Sequence, residues 1–416
     1  MSLYTKYAGK KSFIGRYMDL RAAGESPESY DFWAAAWVLS SALGRDVFID
    51  RPFAPVYLNL YTILVANSGI TRKSTAVNFA HKVLKDVMPS GSAILSSRSS
   101  AEGVELMLAR LSKDYGKAHL AISISELAVF VGREAYTKNI PTLLTDIYDC
   151  PAHRNSTTIK RGEAEHLNVY PTFFSASTPA WLETAINPAI IEGGFTSRVL
   201  FIMENARKRR VAWGKDADHS RDYDLMLGEL RKCLDMAKRT GSIVLSKGAM
   251  RKYSNWYQHK PESLTPFLAS FESREDAHML RLAALMCISE GESEIQTIHI
   301  TDAIKIINEV KGNSASLFEG GFKPDDRTLG INALMEALIL ADPVGMSRTD
   351  ITKVTRRYMD TADTTHVLEV MNELDMVQRF ILPASSKMGR KPSIWRASQE
   401  MVDNTYRKML FSRLQE

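Results

Sequence analysis

The sequence predicts an α/β fold: a parallel sheet built around a phosphate-binding loop, preceded by a helical segment and followed by a helical region and a C-terminal winged helix. Three observations predict it. Apolar runs of strand length alternate with helical patterns between about residues 46 and 214, the texture of a sheet buried on both faces. One of those runs, 61–66, passes through Asn67-Ser68-Gly69-Ile70-Thr71-Arg72-Lys73-Ser74-Thr75 straight into an amphipathic helix. Beyond Gly320-Gly321, three helical patterns are followed by two strands with a basic turn between them.

In chain order, residues 1–45 read as a helical segment, because Tyr30-Asp31-Phe32-Trp33-Ala34-Ala35-Ala36-Trp37 is rich in alanine and aromatics and lacks strand alternation. The core domain, 46–214, has expected strands at 58–66, 93–96, 120–125, 172–175 and 199–203. Helices are expected at 75–87, with Val77, Ala80, Leu84 and Val87 on one face, and at 101–111 behind a Ser99-x-x-Glu102 capping box. The basic run 208–215 closes this domain, and 215–320 reads as mostly helical. The third unit, 325–398, is expected as helices at 328–340, after Ser347 and at 361–374, then strands at 377–382 and 393–396, with a closing helix over 399–416.

The bulk numbers narrow the class. A chain of 416 residues, 45% hydrophobic and 24% charged, is globular and long enough for two or three domains. The net charge of +5 suits a polyanionic partner without requiring one. Cys150, Cys233 and Cys287 lie far apart with no metal-ligand spacing, which argues against a disulfide framework or a zinc site and for a reducing compartment. The start MSLYTKYAGKKSF has no apolar stretch of signal-peptide length and no later run reaches membrane-span length, so a cytoplasmic protein without a membrane partner is expected.

The loop at 67–75 carries the chemistry. Backbone N–H groups and a helix N-terminus cradle phosphates, a lysine reaches the outer phosphates and a hydroxyl ligates magnesium. Lys73 and Ser74 stand at the last two places, with Ser68, Gly69, Arg72 and Thr75 completing the cradle for ATP and Mg²⁺. Asn67 and Arg72 occupy the two positions where the common pattern has glycine. A helix start with a coincidental Lys-Ser is the competing reading.

Hydrolysis needs a carboxylate at a neighbouring strand end, and 121–124 runs into Ser125-Glu126. Glu126 is then the water-activating base, with Ser125 assisting through magnesium-bound water where an aspartate is more usual. A further strand ends in Ser175-Ala176-Ser177-Thr178, making Ser177 the candidate sensor of the γ-phosphate; hydroxyls capping the next helix are the equal alternative. Gly194-Phe195-Thr196-Ser197-Arg198 sets Arg198 between a glycine turn and a strand, where its guanidinium is a candidate for completing a neighbouring subunit's site.

The 67–75 loop, Ile124-Ser125-Glu126-Leu127 and the 194–201 segment resemble the P-loop ATPases found beside or fused to primases in phages, plasmids and integrated elements, which are described as replicative helicases. Residues 273–283 are similar to the helical lid of minichromosome-maintenance-type AAA+ helicases. The resemblance covers roughly residues 25–315. It implies an AAA+-like core, a hexameric ring in which Arg198 acts in trans, Arg281 as a lid arginine touching nucleotide, and a primase or other replication partner. Arg72 and Ser125 depart from the family pattern, so nucleotide binding is the firmer expectation and fast turnover the weaker one.

DNA contacts are expected in two places. In a winged helix the third helix enters the major groove and the wing lies on phosphates. Here the third helix brings Thr364 and Thr365, the preceding turn Arg356 and Arg357, and the wing Lys387, Arg390 and Lys391; a solvated basic loop or a protein-contact module competes with that reading. Lys160 and Arg161, between the carboxylate and sensor strands, are candidates for lining a ring's channel around single-stranded DNA, against a plain solvated hairpin. The expected function is an ATP-dependent DNA helicase or translocase; the alternatives are a nucleotide-gated DNA-binding regulator or loader, and a degenerate scaffold without turnover.

Overall fold

The computed structural model describes residues 2–131, 140–158, 162–186, 190, 194–212, 219–260, 265–321, 326–357, 359–381, 393–399 and 402. The chain divides into two compact units, 1–319 and 320–416.

In the first unit, Ser12 caps helix α1 (Phe13–Arg21) by accepting from Gly15 N–H. Helix α2 (Glu28–Leu43) follows, and it is apolar all round: among its residues only Glu28 is not buried. A helix of that kind belongs inside a fold, and α2 packs on both the sheet and the helices around it. Short strands β1 (Phe48–Ile49) and β2 (Val56–Tyr57) lead into β3 (Tyr61–Val65), every residue of which is buried. Next come α3 (Lys73–Lys85), β4 (Ser92–Leu95), α4 (Ala101–Tyr115) and β5 (Ala118–Ile124). Helix α4 is capped by Ser100, which accepts from Gly103 N–H, so the N-cap is Ser100 in place of the expected Ser99, and the third helical position, where a capping box needs Glu or Gln, holds Gly103. Helices α5 (Leu127–Val131) and α6 (Ile140–Ile147) precede the antiparallel pair β6 (His153–Thr158) and β7 (Gly162–Leu167), which flank Lys160 and Arg161, where a solvated hairpin is the competing reading. Then follow β8 (Val169–Ser177), α7 (Pro179–Ala185) and β9 (Leu200–Met203).

Five of these strands form one parallel sheet in the order β4-β5-β8-β3-β9. Both faces are covered. Phe173 and Phe174 are successive residues of β8 and so point to opposite faces; Phe174 stacks on Trp37 of α2 at 5.1 Å, while Phe173 meets Phe130 of α5 at 6.0 Å. All nine residues of β8 are buried, which explains its apolar run without alternation. Helices at His219–Thr240, Lys247–His259, Pro266–Glu272, Glu275–Ser289 and Thr297–Gly321 complete the unit. Among them run β10 (Ser242–Leu245) and β11 (Glu294–Ile295), which join β1 and β2 in a second sheet of order β11-β10-β1-β2. The N-terminal helices, the sheet and these later helices share one hydrophobic core.

The second unit has its own core of Leu334, Leu338, Ile351, Leu368, Val377 and Trp395. Helices at Asp326–Leu340, Arg348–Thr355 and Thr361–Glu373 pack with β12 (Met346–Ser347), β13 (Val377–Ile381) and β14 (Ser393–Ala397). The strands make an antiparallel sheet of order β12-β14-β13. Ser347 caps the second helix and Asp360 the third. Residues 382–392, with Lys387, Arg390 and Lys391, and residues 403–416 of the expected closing helix lie outside the described residues. No helix of the described residues is long and apolar enough to cross a membrane.

Candidate functional site

Strand order fixes where a ligand can sit. From β3 the chain crosses to the far edge at β4 and returns through β5 and β8, then passes over β3 to β9. In open parallel sheets the crevice at such a reversal, outside the carboxyl ends of the strands, is the usual ligand site. The ends of β3, β5 and β8 meet there. They enclose a cavity of about 350 Å³ lined by Ser68, Gly69, Arg72, Lys73, Ser74 and Thr75 from the loop, Ser125, Glu126 and Ala128 after β5, and Ala176, Ser177, Thr178 and Trp181 after β8. Three segments separated by tens of residues, singled out in sequence for complementary roles, thus face one space.

The loop's backbone suits an anion. Gly69 has φ +74°, and Arg72, at the helix N-cap, has φ 58° and ψ 38°, the left-handed region that glycine adopts without cost. Arginine therefore takes the conformation that the glycine of the common pattern would supply. No side chain caps α3; Thr75 N–H bonds the Arg72 carbonyl at 3.1 Å, and the Lys73 and Ser74 N–H groups, with the positive end of the helix dipole, stand at the cavity. Lys73 Nζ donates to the carbonyls of Ala66 at 2.6 Å and Asn67 at 3.2 Å. Burial lowers the Lys73 pKa, and the negative charge of Glu126 opposes that shift. The β5 and β8 register pairs Ile124 with Ser175, so Ser125 and Glu126 leave the sheet beside Ala176 and Ser177.

A clamp outside the cavity holds the loop. Arg72 Nε donates to Glu25, Arg207 pairs with the same carboxylate at 3.4 Å, and Arg207 Nη2 also donates to Gly69 O at 3.3 Å. The Val211 N–H and the Arg72 side chain hold the Glu25 carboxyl at about 2, well below its ordinary value. From the other side Tyr30 donates to Val65 O at 2.7 Å, and the buried Thr71 hydroxyl donates to Tyr30 at 3.5 Å. Glu25, Arg207 and Trp181, and the contact of Tyr30 with the loop strand, escaped sequence reasoning because no local pattern links residues that meet only through the fold.

Other expected residues sit elsewhere. Thr178 is the N-cap of α7, accepting from Trp181 N–H at 3.3 Å, so its hydroxyl has the capping role. Ser177 is buried and its hydroxyl makes only a long 3.5 Å bond to the Thr178 carbonyl. Arg198 precedes β9, whose Leu200 is paired with Thr62 near the start of β3. That puts it at the amino edge of the sheet, roughly 10 Å or more along the strands from the loop. There it donates to Gly194 O at 2.7 Å and shares the ring of Tyr148 and the carboxylate of Asp149 with Arg274. Gly194 has φ +76°, and a Cβ on it would fall 2.7 Å from Arg198 Nη1, which explains the glycine. Burial, then Arg274, lowers the Arg198 pKa.

Arg281 does not reach the cavity. It is 4% exposed and donates from Nε to Tyr57 O at 2.8 Å and from Nη1 to the Tyr148 hydroxyl at 2.5 Å, so the expected lid arginine serves the interior. In the second unit Thr364 is buried, its hydroxyl bonded to Asp360 O and to Thr355; helical period turns it toward Leu368 and away from any duplex. Thr365 is partly exposed, donating to Thr361 O at 2.6 Å and accepting from Arg348. Arg356 and Arg357 are exposed. The exposed face of the third helix carries Asp363, His366, Glu369 and Glu373, a balance poorly suited to phosphate. Lys160 and Arg161 lie outside the described residues.

Cys287, Glu292 and His299 offer a possible ligand cluster within 4.8 Å. His299 Nδ1 accepts from Gln296 N–H and its Nε2 bonds Glu290 at 3.0 Å, so neither ring nitrogen keeps a free lone pair for a metal. Compared with known proteins, the chain matches no family model and no curated protein sequence.

Proposed function

We propose that this protein is an oligomeric P-loop ATPase of AAA+-like architecture that binds MgATP at the loop–sheet cavity and uses hydrolysis to translocate along or unwind DNA, in replication of a mobile genetic element. The observation that carries the proposal is the convergence of Lys73 and Ser74, Glu126, and Ser177 on one cavity at the carboxyl ends of β3, β5 and β8. β8 lies between the loop strand and the carboxylate strand. Two strand spacings, about 10 Å, leave room for a terminal phosphate and a water between Lys73 and Glu126.

The residues fit such a ligand. The left-handed Gly69 and Arg72 and the uncapped start of α3 form an anion cradle. Magnesium bound with ATP would neutralise developing phosphate charge, and Ser74 is the hydroxyl placed to hold it, with Ser125 behind a bound water. Within this reading Lys73 moves from the Ala66 and Asn67 carbonyls to the outer phosphates. Glu126 orients the attacking water and takes its proton, and Ser177 donates to the terminal phosphate. Arg198, at the opposite edge of the sheet from its own loop, serves a neighbour's site, which makes a ring the reading's natural assembly, with six subunits as the number the family resemblance implies.

The second unit supports a winged helix by its order of helix, short strand, two helices and a two-stranded hairpin. Its DNA contacts would come from Arg356, Arg357 and the basic 385–391 segment acting on phosphates, because the third helix presents acidic side chains. That face favours keeping a second reading: a nucleotide-gated regulator or loader whose second unit meets protein. Strand displacement on a forked duplex, run with ATP and with DNA-stimulated turnover and particle mass measured in parallel, separates the two. Unwinding by a DNA-stimulated oligomer supports the first; turnover without unwinding supports the second.

A further inference from the structure

A second cavity lies outside the loop site, against the helix Lys247–His259. It encloses about 440 Å³ and is lined by Lys252, Asn255, Trp256, His259, Lys260 and Lys311, among others. The helix lies on the surface: Ala249 is its only buried residue. Its sequence, KGAMRKYSNWYQH, contains no acidic residue. Lys247, Arg251 and Lys252 are exposed and form no ion pair among the described residues.

Aromatic rings interleave with these cations. Tyr253, Trp256 and Tyr257 cluster with centroids 5.9–6.5 Å apart, and Tyr257 is 48% exposed. Lys260 Nζ lies 5.2 Å from the Tyr257 ring and 6.0 Å from Trp256, and it donates to Glu272 O at 2.8 Å. Lys311 is the one lining lysine already neutralised, by Glu272 at 3.4 Å and the buried Glu275 at 2.9 Å. Asn255 and Asn308 add exposed amides at the rim. Rings alone would suit an apolar protein surface, and lysines alone any polyanion. The combination is what single-stranded nucleic acid requires: cations along the phosphates and flat π-faces on which bases stack whatever their sequence.

From this juxtaposition we infer that the Lys247–Lys260 surface is a binding groove for single-stranded nucleic acid, with Trp256 and Tyr257 as the stacking platform and Arg251, Lys252 and Lys260 on the backbone. The inference stands apart from the ATPase reading, since none of these residues lines the loop cavity, and it places a nucleic-acid contact in the first unit on a helix distinct from the segment of Lys160 and Arg161 that the sequence singled out.

The test uses the full chain and a 5-iodouracil-substituted oligothymidylate. Photocrosslinking followed by peptide mapping places the adduct on Trp256 or Tyr257; adducts confined to other peptides overturn the inference. In fluorescence anisotropy, Trp256→Ala weakens oligothymidylate about ten- to a hundredfold, the range expected for one lost base stack. It leaves binding of an abasic oligonucleotide of equal length nearly unchanged, while Lys252→Glu weakens both. Circular dichroism and urea unfolding check that each variant is folded. Unchanged oligothymidylate affinity in folded Trp256→Ala, or equal capture of polyglutamate and oligothymidylate by the wild-type protein, would instead make the surface a structural or acidic-protein contact.

Discussion

Arg72 offers a direct test of how the phosphate loop is built. At φ 58° a residue with a Cβ costs about 1 kcal/mol relative to glycine. Against this stands the Arg72–Glu25 ion pair, whose arginine side chain is 52% exposed and which solvent therefore reduces to a minor contribution. Arg72→Gly removes both terms, so its stability should stay within about 1 kcal/mol of wild type. Arg72→Ala removes the ion pair and keeps the Cβ, and should fall about 0.5 kcal/mol below Arg72→Gly, the cost of the Cβ reduced by the greater freedom of glycine in the unfolded chain. Urea unfolding of the three proteins, monitored by circular dichroism, measures the ordering. An alanine variant as stable as the glycine variant would refute the claim that the left-handed backbone, and not the arginine head group, sets the requirement at this position. Labelled-ATP binding should be kept in Arg72→Gly, which retains Lys73 and the uncapped helix start.

Three further predictions follow from the same geometry. Glu126→Gln keeps the shape of the cavity but removes the base, so ATP should still bind while turnover drops by about 10² to 10⁴; equal loss of binding would mean that Glu126 does not act on the attacking water. Arg198→Ala should lower turnover by about 10³, and subunits carrying it, mixed with Lys73→Ala subunits, should regain activity, because a wild-type arginine then faces a wild-type loop; additive loss without rescue would place Arg198 outside a shared site. His278 is buried with Nε2 donating to Ser197 O at 2.8 Å, and burial, then Arg281, lowers its pKa to about 3. The unfolded chain takes up that proton below about 6.5 while the folded chain does not, so the contribution is complete above pH 6.5 and is lost as pH falls toward 3, by about 2 kcal/mol at pH 5. His278→Gln should flatten that slope in urea titrations at pH 7 and pH 5; an unchanged slope would contradict it.

The parallel-sheet core was legible because burial on both faces leaves continuous apolar runs, as at Tyr61–Val65, and because the amphipathic period of α3 begins at the loop. The second sheet was not: β1, β2 and β11 span two residues each, too short for alternation to register. Within the site, residues that act through local backbone, Gly69 and Lys73 among them, announce themselves by spacing. Glu25 and Arg207 bind the loop from afar and carry no such mark. Arg281, expected at the nucleotide from the family resemblance, and Thr364, expected at DNA from its place in the third helix, each find enough internal partners to be buried: two acceptors for the arginine, and for the threonine its own helix and a neighbouring hydroxyl, partners that only the fold brings together.

The central claim, that the loop–sheet cavity binds and hydrolyses ATP, is tested most directly by magnesium-dependent ATP turnover in wild type and Lys73→Ala. Lys73 opens α3 and its Nζ bonds only loop carbonyls, so alanine should leave the fold intact by circular dichroism. The account predicts measurable turnover in the wild-type protein and a loss of about a hundredfold or more in the variant. Equal turnover in the two proteins, or none in either together with no binding of labelled ATP, would contradict it.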